Sequence, residues 1–189
     1  MLCGGSIGLR ARLDADVAIL HAQLYDDVGT RSRADSRAWR PIPPGSAASP
    51  YAVTAPTEDA ACFSVVELSD GALAGEALLW GIDTHNRTAH LGISLLPSGR
   101  HRGLGTDVVR VLCRYGFAVL GLHRLQVETL VDNTAMIKAA RAAGFVLDGT
   151  LRGSSWVEGQ FMDEVVLGLL TDDWHASQDA ASTALVERS

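Results

Sequence analysis

The most telling part of the sequence is Arg100-His101-Arg102-Gly103-Leu104-Gly105-Thr106, an R-x-x-G-x-G turn. It follows an apolar run that ends in Leu95-Leu96-Pro97 and precedes a segment with helical spacing. A strand that leads through a glycine-rich turn into a helix directs several backbone N–H groups, and the positive end of the helix dipole, at one point. The sequence therefore predicts an anion-binding turn, with an ordinary basic loop as the alternative.

Two common phosphate-binding turns do not fit this spacing. A Rossmann fingerprint needs a third small residue three positions after the second glycine, where this chain has Val108. A P-loop ends in Gly-Lys-Ser/Thr, whereas this turn ends in Gly105-Thr106-Asp107. If the turn holds phosphate, we therefore expect a pyrophosphate held in another way.

The turn resembles motif A of the GNAT N-acetyltransferase superfamily, which binds the pyrophosphate of acetyl-CoA. Segments on both sides extend the resemblance: a strand-like run, an Asn-x-Ala segment with Ala-Gly-Phe after it, and a closing apolar run. These segments are residues 87–97, 132–136 with 143–145, and 169–174. The closing series, residues 149–152, Gly159, Asp163 and 169–174, is similar to the Rim-type branch, which is named for the N-terminal acetyltransferases of ribosomal proteins.

The composition is typical of one globular domain. The 189 residues are 47% hydrophobic with a mean hydropathy of +0.13, enough to bury a core without disulfides or a metal. A net charge of −6 argues against nucleic acid as the main partner. The three cysteines show neither disulfide nor zinc spacing, so no metal and a cytoplasmic location are expected. The sequence shows no signal peptide and no apolar run of about 18 residues, so no membrane is expected.

Hydrophobic periodicity predicts alternating strands and helices. Strands are predicted at 7–12, 63–68, 73–82, 88–96, 125–130, 145–151 and 165–170; helices follow Asp14 and cover 32–39, 106–121 and 133–143. The resemblance implies a GNAT-like α/β fold, with a mixed, mostly antiparallel central sheet flanked by helices. Its central strands 88–96 and 125–130 would splay apart and leave a slot for the pantetheine arm. We expect one domain over residues 1–174 and a mobile tail over 175–189.

The resemblance also implies how acetyl-CoA, the co-substrate, is held. The backbone at the end of strand 88–96 would pair with the pantetheine arm, and one N–H there would polarise the thioester carbonyl. Backbone amides of the glycine turn would hold the pyrophosphate. Asn133 would bind the cofactor arm, although an N-cap of the following helix explains it equally well. The expected cofactor-binding residues are Ser94, Leu95, Leu96, Arg100, Arg102, Gly103, Leu104, Gly105, Thr106, Asn133 and Met136.

Acetyl transfer to an amine needs a base for the amine and stabilisation of the leaving thiolate. His90 is the first candidate base, because many family members carry a glutamate near this position; a packed or surface histidine is the alternative. Glu76 is the second candidate and Glu128 the third, each with an ordinary strand glutamate as its alternative. Ala140 replaces the usual family tyrosine, so Ser154, or Ser155 beside it, is the candidate acid, with a plain polar loop as the alternative.

These residues predict an acetyl-CoA-dependent N-acetyltransferase, an acyltransferase that moves an acetyl group directly to a primary amine. A protein N-terminus and a small-molecule amine are both open as acceptors. The alternative is a catalytically inactive CoA-binding sensor or scaffold, which the missing tyrosine keeps open. Arg37, Trp39 and Arg40 are candidates for contact with the acceptor, and a solvated loop is the alternative. A homodimer is expected, because Rim-like proteins commonly form one.

Overall fold

The structure is a computed structural model that describes the backbone of residues 1–186 and the side chains of residues 1–178. Its strands are β1 Leu2–Cys3, β2 Ile7–Arg10, β3 Ala60–Glu67, β4 Leu73–Asp83, β5 Thr88–Leu95, β6 Arg124–Leu130, β7 Val146–Val157 and β8 Gln160–Leu170. Its α-helices are α1 Asp14–Leu20, α2 Val28–Ala34, α3 Leu104–Arg114, α4 Thr134–Ala142 and α5 Thr171–Val186. None of the described helices is long and apolar enough to cross a membrane.

One eight-stranded sheet organises the molecule, in the order β1-β2-β3-β4-β5-β6-β8-β7. Every neighbouring pair is antiparallel except β5 and β6, which are parallel. The mixed, mostly antiparallel α/β fold predicted from the sequence is therefore confirmed. The parallel pair at the centre arises because α3 returns the chain from the end of β5 to the start of β6, which is the usual role of a helical crossover.

The two faces of the sheet carry different layers. Ala89 and Leu91 of β5 belong to the main core, which also contains the buried face of α3. His90, Gly92 and Ser94 alternate with them and so lie on the opposite face. A second, smaller core around Leu20 and Tyr51 includes Leu96 at the end of β5, and it packs the early helices against this opposite face.

The early helices begin at other residues than the sequence predicts. The sequence predicts Asp14 as the cap of the first helix, but α1 already begins there, because the Asp16 carboxylate accepts the Leu13 N–H at 2.9 Å and closes the first turn. The helix predicted over 32–39 lies earlier, over Val28–Ala34. Asp27 starts α2 because its carboxylate accepts the Thr30 N–H at 3.1 Å.

The last two strands are longer than predicted and form one hairpin. They turn at Glu158 and Gly159, both with positive φ angles, and run back as far as Val146 and Leu170. The predicted strand ended at Leu151, but β7 continues past Gly153, and the hairpin accommodates Gly149 and Gly153 by shifting its register beside each one. Glycine at a bulge weakens a strand without ending it.

The helix after the glycine turn also departs from the prediction. The sequence predicts that Val119 faces inward, but α3 continues as a π-helical turn from Tyr115 to Val119, and Val119 is 61% exposed. A π-helical turn adds one residue to the turn and so rotates the side chains at its end away from the core. The tail expected from residue 175 continues as part of α5 to Val186, and residues 187–189 lie outside the described residues. Its mobility stays a prediction.

Candidate active site

The central feature of the site is a fork between β5 and β6. The two strands pair only over Thr88–His90 and residues 124–126, although β5 continues to Leu95 and β6 to Leu130. Beyond His90, no described strand pairs with the side of β5 that faces β6. Backbone N–H and C=O groups need partners, so this edge can pair with an extended polar ligand. The splayed strands predicted from the sequence are therefore confirmed.

The glycine turn lies between the open end of β5 and α3. Gly103 has a φ of 79° and is the N-cap of α3, so the turn uses the left-handed region that glycine favours. A Cβ built on Gly105 would meet only Ile93 and Leu95, at 3.5 and 3.9 Å, which is ordinary contact. The first N–H groups of a helix have no partner within the helix. Together these features leave a helix N-terminus that a bulky ligand can approach closely.

The two arginines of the turn are engaged by the protein itself. Arg102 donates to both carboxylate oxygens of Glu67, at 2.6 and 2.7 Å. Arg100 donates from Nε to the Leu95 carbonyl at 3.0 Å and so fixes the turn to the end of β5. Because these side chains are engaged, the backbone N–H groups of the turn are the donors most available to a ligand. The Glu67 partner could not be found from the sequence, because it lies 35 residues away on another strand.

Asn133 is the N-cap of α4. Its side chain accepts the Met136 N–H at 3.2 Å and donates from Nδ2 to the Thr129 hydroxyl at 2.9 Å. The N-cap interpretation of this residue thus fits the structure, and the second hydrogen bond ties α4 to β6 beside the fork. The Met136 side chain is buried in the main core.

Glu76 is a buried carboxylate on β4, directly opposite Ser94 of β5. Burial raises its pKa above the ordinary value, while the Arg12 guanidinium, 2.7 Å away, acts in the opposite direction without cancelling the rise. Arg12 also lies over the Tyr51 ring, 5.5 Å from its centroid. Neither Arg12 nor Tyr51 was recognised from the sequence. The Arg12 partnership spans 64 residues, so no local pattern could indicate it.

His90 lies at the point where the fork opens. Its ring stacks on Trp80 with 4.1 Å between centroids, and its Nδ1 is 3.6 Å from a Glu128 carboxylate oxygen. The side chain is about one third exposed, so the ring is held and still accessible to solvent. An imidazole at this place can accept a proton from a group bound in the fork.

The structure does not bring the three candidate catalytic residues together. His90 and Ser94 are four residues apart on β5, so Glu76 lies about 13 Å along the strands from His90. Ser154 is on β7, three strand positions away from β5, which is about 14 Å. Its hydroxyl donates to Glu164 at 2.7 Å.

A cleft of about 450 Å³ lies on the same side as the smaller core. It is lined by Tyr25, Arg31, Asp35, Arg37, Ala38, Trp39, Arg40, Ile42, Ala48 and Pro50. Arg37, Trp39 and Arg40 were singled out in the sequence, and the other lining residues were not. Arg33 of α2 forms an ion pair with Asp132, beside α4, at 2.6 Å. The α2 helix thereby connects the cleft to β6, which is one arm of the fork.

Comparisons with known proteins match this geometry. A family model described as Acetyltransferase (GNAT) domain covers residues 7–146. The putative ribosomal N-acetyltransferase YdaF of Bacillus subtilis (strain 168) is 30% identical over 59% of this chain and 61% of its own length. The spermidine N(1)-acetyltransferase of Escherichia coli (strain K12) is 26% identical over 62% of this chain and 63% of its own. The matched region thus spans less than two thirds of these relatives.

A solved structure supports the fold. The spermidine N-acetyltransferase of Vibrio cholerae, in complex with CoA and spermine, superposes with a TM-score of 0.73 and 18% identity. The superposition covers 89% of this chain and 97% of that one. At this identity the likeness establishes the fold.

Proposed function

Because the chain belongs to the GNAT acetyltransferase family, within its Rim-like branch, we propose that it is an acetyl-CoA-dependent N-acetyltransferase acting on a primary amine. The observation that carries this proposal is the fork between β5 and β6 beside the glycine turn. An unpaired strand edge next to an open helix N-terminus suits a ligand with an amide-containing arm and a pyrophosphate.

Acetyl-CoA is the proposed co-substrate. The backbone at the end of β5 pairs with the pantetheine arm through Ser94 and Leu95, and one N–H there polarises the thioester carbonyl. The backbone of Leu96, which was expected to share this role, is already engaged: its N–H donates to the Ala74 carbonyl and its carbonyl accepts from the Gly99 N–H, each at 2.9 Å. The amides from Arg102 to Thr106 hold the pyrophosphate, while Arg100 keeps the turn against β5. Asn133 and Met136 begin α4 beside the arm, and Asn133 does so as the helix cap.

His90 is the proposed base. It takes a proton from the acceptor ammonium, directly or through water, so that the free amine attacks the thioester carbonyl and the thiolate leaves. Glu128 stabilises the imidazolium that forms. Glu76 is the second candidate, and the rise in its pKa brings it closer to the range of a useful base. Ser154 remains the candidate acid for the thiolate, supported only by its hydroxyl and the loss of the family tyrosine at Ala140.

The acceptor is a protein N-terminus or a small amine, as the names of the relatives suggest. We further propose a homodimer in the cytoplasm, with no role for nucleic acid or membrane. The exposed Trp156 and Phe161 at the tip of the β7–β8 hairpin support the dimer, because large apolar side chains in contact with water favour association.

Calorimetric titration with acetyl-CoA, followed by an assay of CoA thiol release in the presence of amines, tests this function. The expected result is saturable binding and amine-dependent release. His90→Gln should lower kcat at least about tenfold and leave the acetyl-CoA affinity unchanged, as a base contributes to the rate alone. Binding without release for any amine would favour the sensor or scaffold, and a folded protein without binding would remove the proposal altogether.

A further inference from the structure

The cleft on the acceptor side carries an excess of positive charge. Three arginines line it, Arg31, Arg37 and Arg40, against one acidic residue, Asp35. The segment from residue 31 to residue 40 holds four of the 16 basic residues of a chain whose net charge is −6. A basic cluster in an acidic protein marks a place where an anion is attracted.

The only acidic side chain that lines this cleft is already engaged. Asp35 accepts from Arg37 Nε at 3.1 Å and Nη2 at 2.9 Å, from the Arg37 N–H at 2.8 Å, and from Arg31. Burial alone would raise the pKa of Asp35, but these donors outweigh burial and lower it. Asp35 therefore stays ionised and is occupied by arginine, so little of its charge is left to bind a second cation.

Arg40 provides the surplus charge. Among the described side chains, no carboxylate lies within ion-pair distance of its guanidinium. Arg37 uses two of its three nitrogens on Asp35 and is largely exposed. Guanidinium groups bind carboxylates and phosphates through paired hydrogen bonds. The cleft thus offers guanidinium donors to an anion, while the one carboxylate among its lining residues is already engaged by arginine.

The walls of the cleft are held by hydrogen bonds to the backbone. Trp39 donates from its indole N–H to the Tyr25 carbonyl at 3.0 Å, and the Tyr25 hydroxyl donates to the Arg40 carbonyl at 2.8 Å. Arg31 lies over the Tyr25 ring, 5.3 Å from its centroid. These reciprocal contacts fix the segment that carries Arg37 and Arg40, so the two guanidinium groups are held in a preorganised pocket.

The cleft also adjoins the proposed point of acetyl transfer. Arg31 lines it and lies near the buried Tyr51, whose ring packs beneath Arg12. Arg12 pairs with Glu76, and Glu76 is opposite Ser94 on the open part of β5. An acceptor whose far end lies in the cleft can therefore direct its amine towards the fork.

We propose that the acceptor is a small primary amine carrying a carboxylate or phosphate group, which Arg37 and Arg40 bind, and that a polyamine is rejected. This inference rests on the proposed transferase function and narrows its substrate class. Its basis is the charge of the cleft, in which three guanidinium groups against one carboxylate attract an anion and repel a second ammonium group. The volume of about 450 Å³ suits a molecule of amino-acid size.

Three amines of one chain length test the proposal: 5-aminopentanoate, pentylamine and cadaverine, which end in a carboxylate, a methyl and an ammonium group. Their binding to the CoA-saturated protein is measured by calorimetry. We expect 5-aminopentanoate to bind at least about tenfold more tightly than cadaverine, with pentylamine between them. Arg37→Gln with Arg40→Gln should abolish this preference, whereas Arg141→Gln, at an exposed arginine of α4, should leave it unchanged. Comparing the binding of aminoethyl phosphate with that of ethanolamine measures the preference for a phosphate group separately from that for a carboxylate.

The same amines with acetyl-CoA keep this inference apart from the proposed function. Thiol release with any amine supports the transferase, and the rank order of binding reports on the cleft alone. Cadaverine binding as tightly as 5-aminopentanoate, or no measurable binding of 5-aminopentanoate, overturns the inference even if thiol release is observed. A preference that survives the double arginine variant overturns it too.

Discussion

Gly105 is a residue whose small size the protein's own packing does not require. The space above it is bounded only by Ile93 and Leu95 at ordinary contact distance, and its backbone is helical. In a helix glycine is less favourable than alanine by about 0.5–1 kcal/mol. A residue that costs stability and leaves room beside a helix N-terminus is best explained by a ligand that needs the room.

We therefore expect Gly105→Ala to separate stability from cofactor binding. The free energy of unfolding in urea should stay the same or rise slightly, because the new methyl group meets no close atom. The calorimetric affinity for acetyl-CoA should fall at least about tenfold, since the methyl group would occupy the space of the pyrophosphate. Gly45→Ala, at a loop glycine in open space, is the control and should not alter the affinity. Unchanged binding in Gly105→Ala would contradict the assigned role of the turn.

The buried Arg12–Glu76 pair predicts that a variant without Arg12 is less stable by an amount that depends on pH. Arg12→Gln leaves the Glu76 carboxylate buried without its counter-charge, and we expect the free energy of unfolding to fall by about 3–5 kcal/mol at neutral pH. Burial raises the folded-state pKa of Glu76 above its ordinary value of 4.5. The folded state therefore gains stability from the protonated carboxyl, fully so below pH 4.5, and loses this contribution as the pH rises through the raised pKa. The loss should therefore shrink as the pH falls.

Urea unfolding of Arg12→Gln between about pH 5 and pH 8 checks this sign. The control is the double variant with Glu76→Gln, in which no carboxylate is left to titrate and the pH-dependent part should disappear. A defect of equal size at every pH would mean that Arg12 acts by packing against Tyr51 rather than by charge.

At the scale of elements, side chains at both ends of α3 tie it to the hairpin at the sheet edge: Arg114, at its last residue, donates to the Cys3 carbonyl at 2.6 Å. Asp107, in the first turn of α3, accepts the N–H groups of Gly5, Ser6 and Ile7 at 3.0, 2.7 and 3.2 Å. These residues form the turn between β1 and β2. The Asp107 carboxylate thereby fixes the β1–β2 hairpin to α3, the helix that begins at the glycine turn.

We expect Asp107→Asn to destabilise this junction, because the amide replaces one accepting oxygen with a donor that faces other donors. The loss should be about 1–3 kcal/mol in urea unfolding, with faster hydrogen exchange at residues 5–7. Asp14→Asn is the matched control: Asp14 also lies in the first turn of a helix, so both variants lose the same favourable charge near the helix N-terminus. Equal losses in the two variants would show that the three hydrogen bonds contribute nothing beyond that charge.

At the scale of the whole molecule, the β7–β8 hairpin leaves two large aromatic side chains in contact with water. Trp156 is 62% exposed and Phe161 is 69% exposed, and their rings contact each other edge-on with 4.8 Å between centroids. The hairpin lies at the edge of the sheet, where a second copy can approach without disturbing the fork.

Light scattering should therefore report a dimer, about twice the chain mass of 20.0 kDa. Trp156→Ser with Phe161→Ser should shift the protein to the monomer mass while leaving its thermal unfolding cooperative, because both side chains are already exposed in one copy. Val119→Ser removes an equally exposed apolar side chain elsewhere and should keep the dimer. A wild-type mass near 20.0 kDa, or a dimer that survives the double variant, would exclude this interface.

The sequence by itself determined the features that depend on neighbours along the chain. The glycine turn and the order of strands and helices could be predicted because spacing and backbone preference act locally, and the splayed pair followed from the family resemblance that the turn carries. The boundaries failed where one side chain closes a turn, as Asp16 and Asp27 do, or where a hairpin continues through a glycine.

Only the tertiary structure decided what each polar group faces. Arg12 meets Glu76 and Arg102 meets Glu67 because segments distant in sequence come together in the fold. His90 stacks on Trp80 because the register of the β4–β5 hairpin places the two residues opposite each other. The charge of the cleft lined by Arg37 and Arg40 likewise depends on Asp35 being engaged by its arginine neighbours. Such pairings depend on register and burial, which are settled when the whole core packs, so no local pattern carries them.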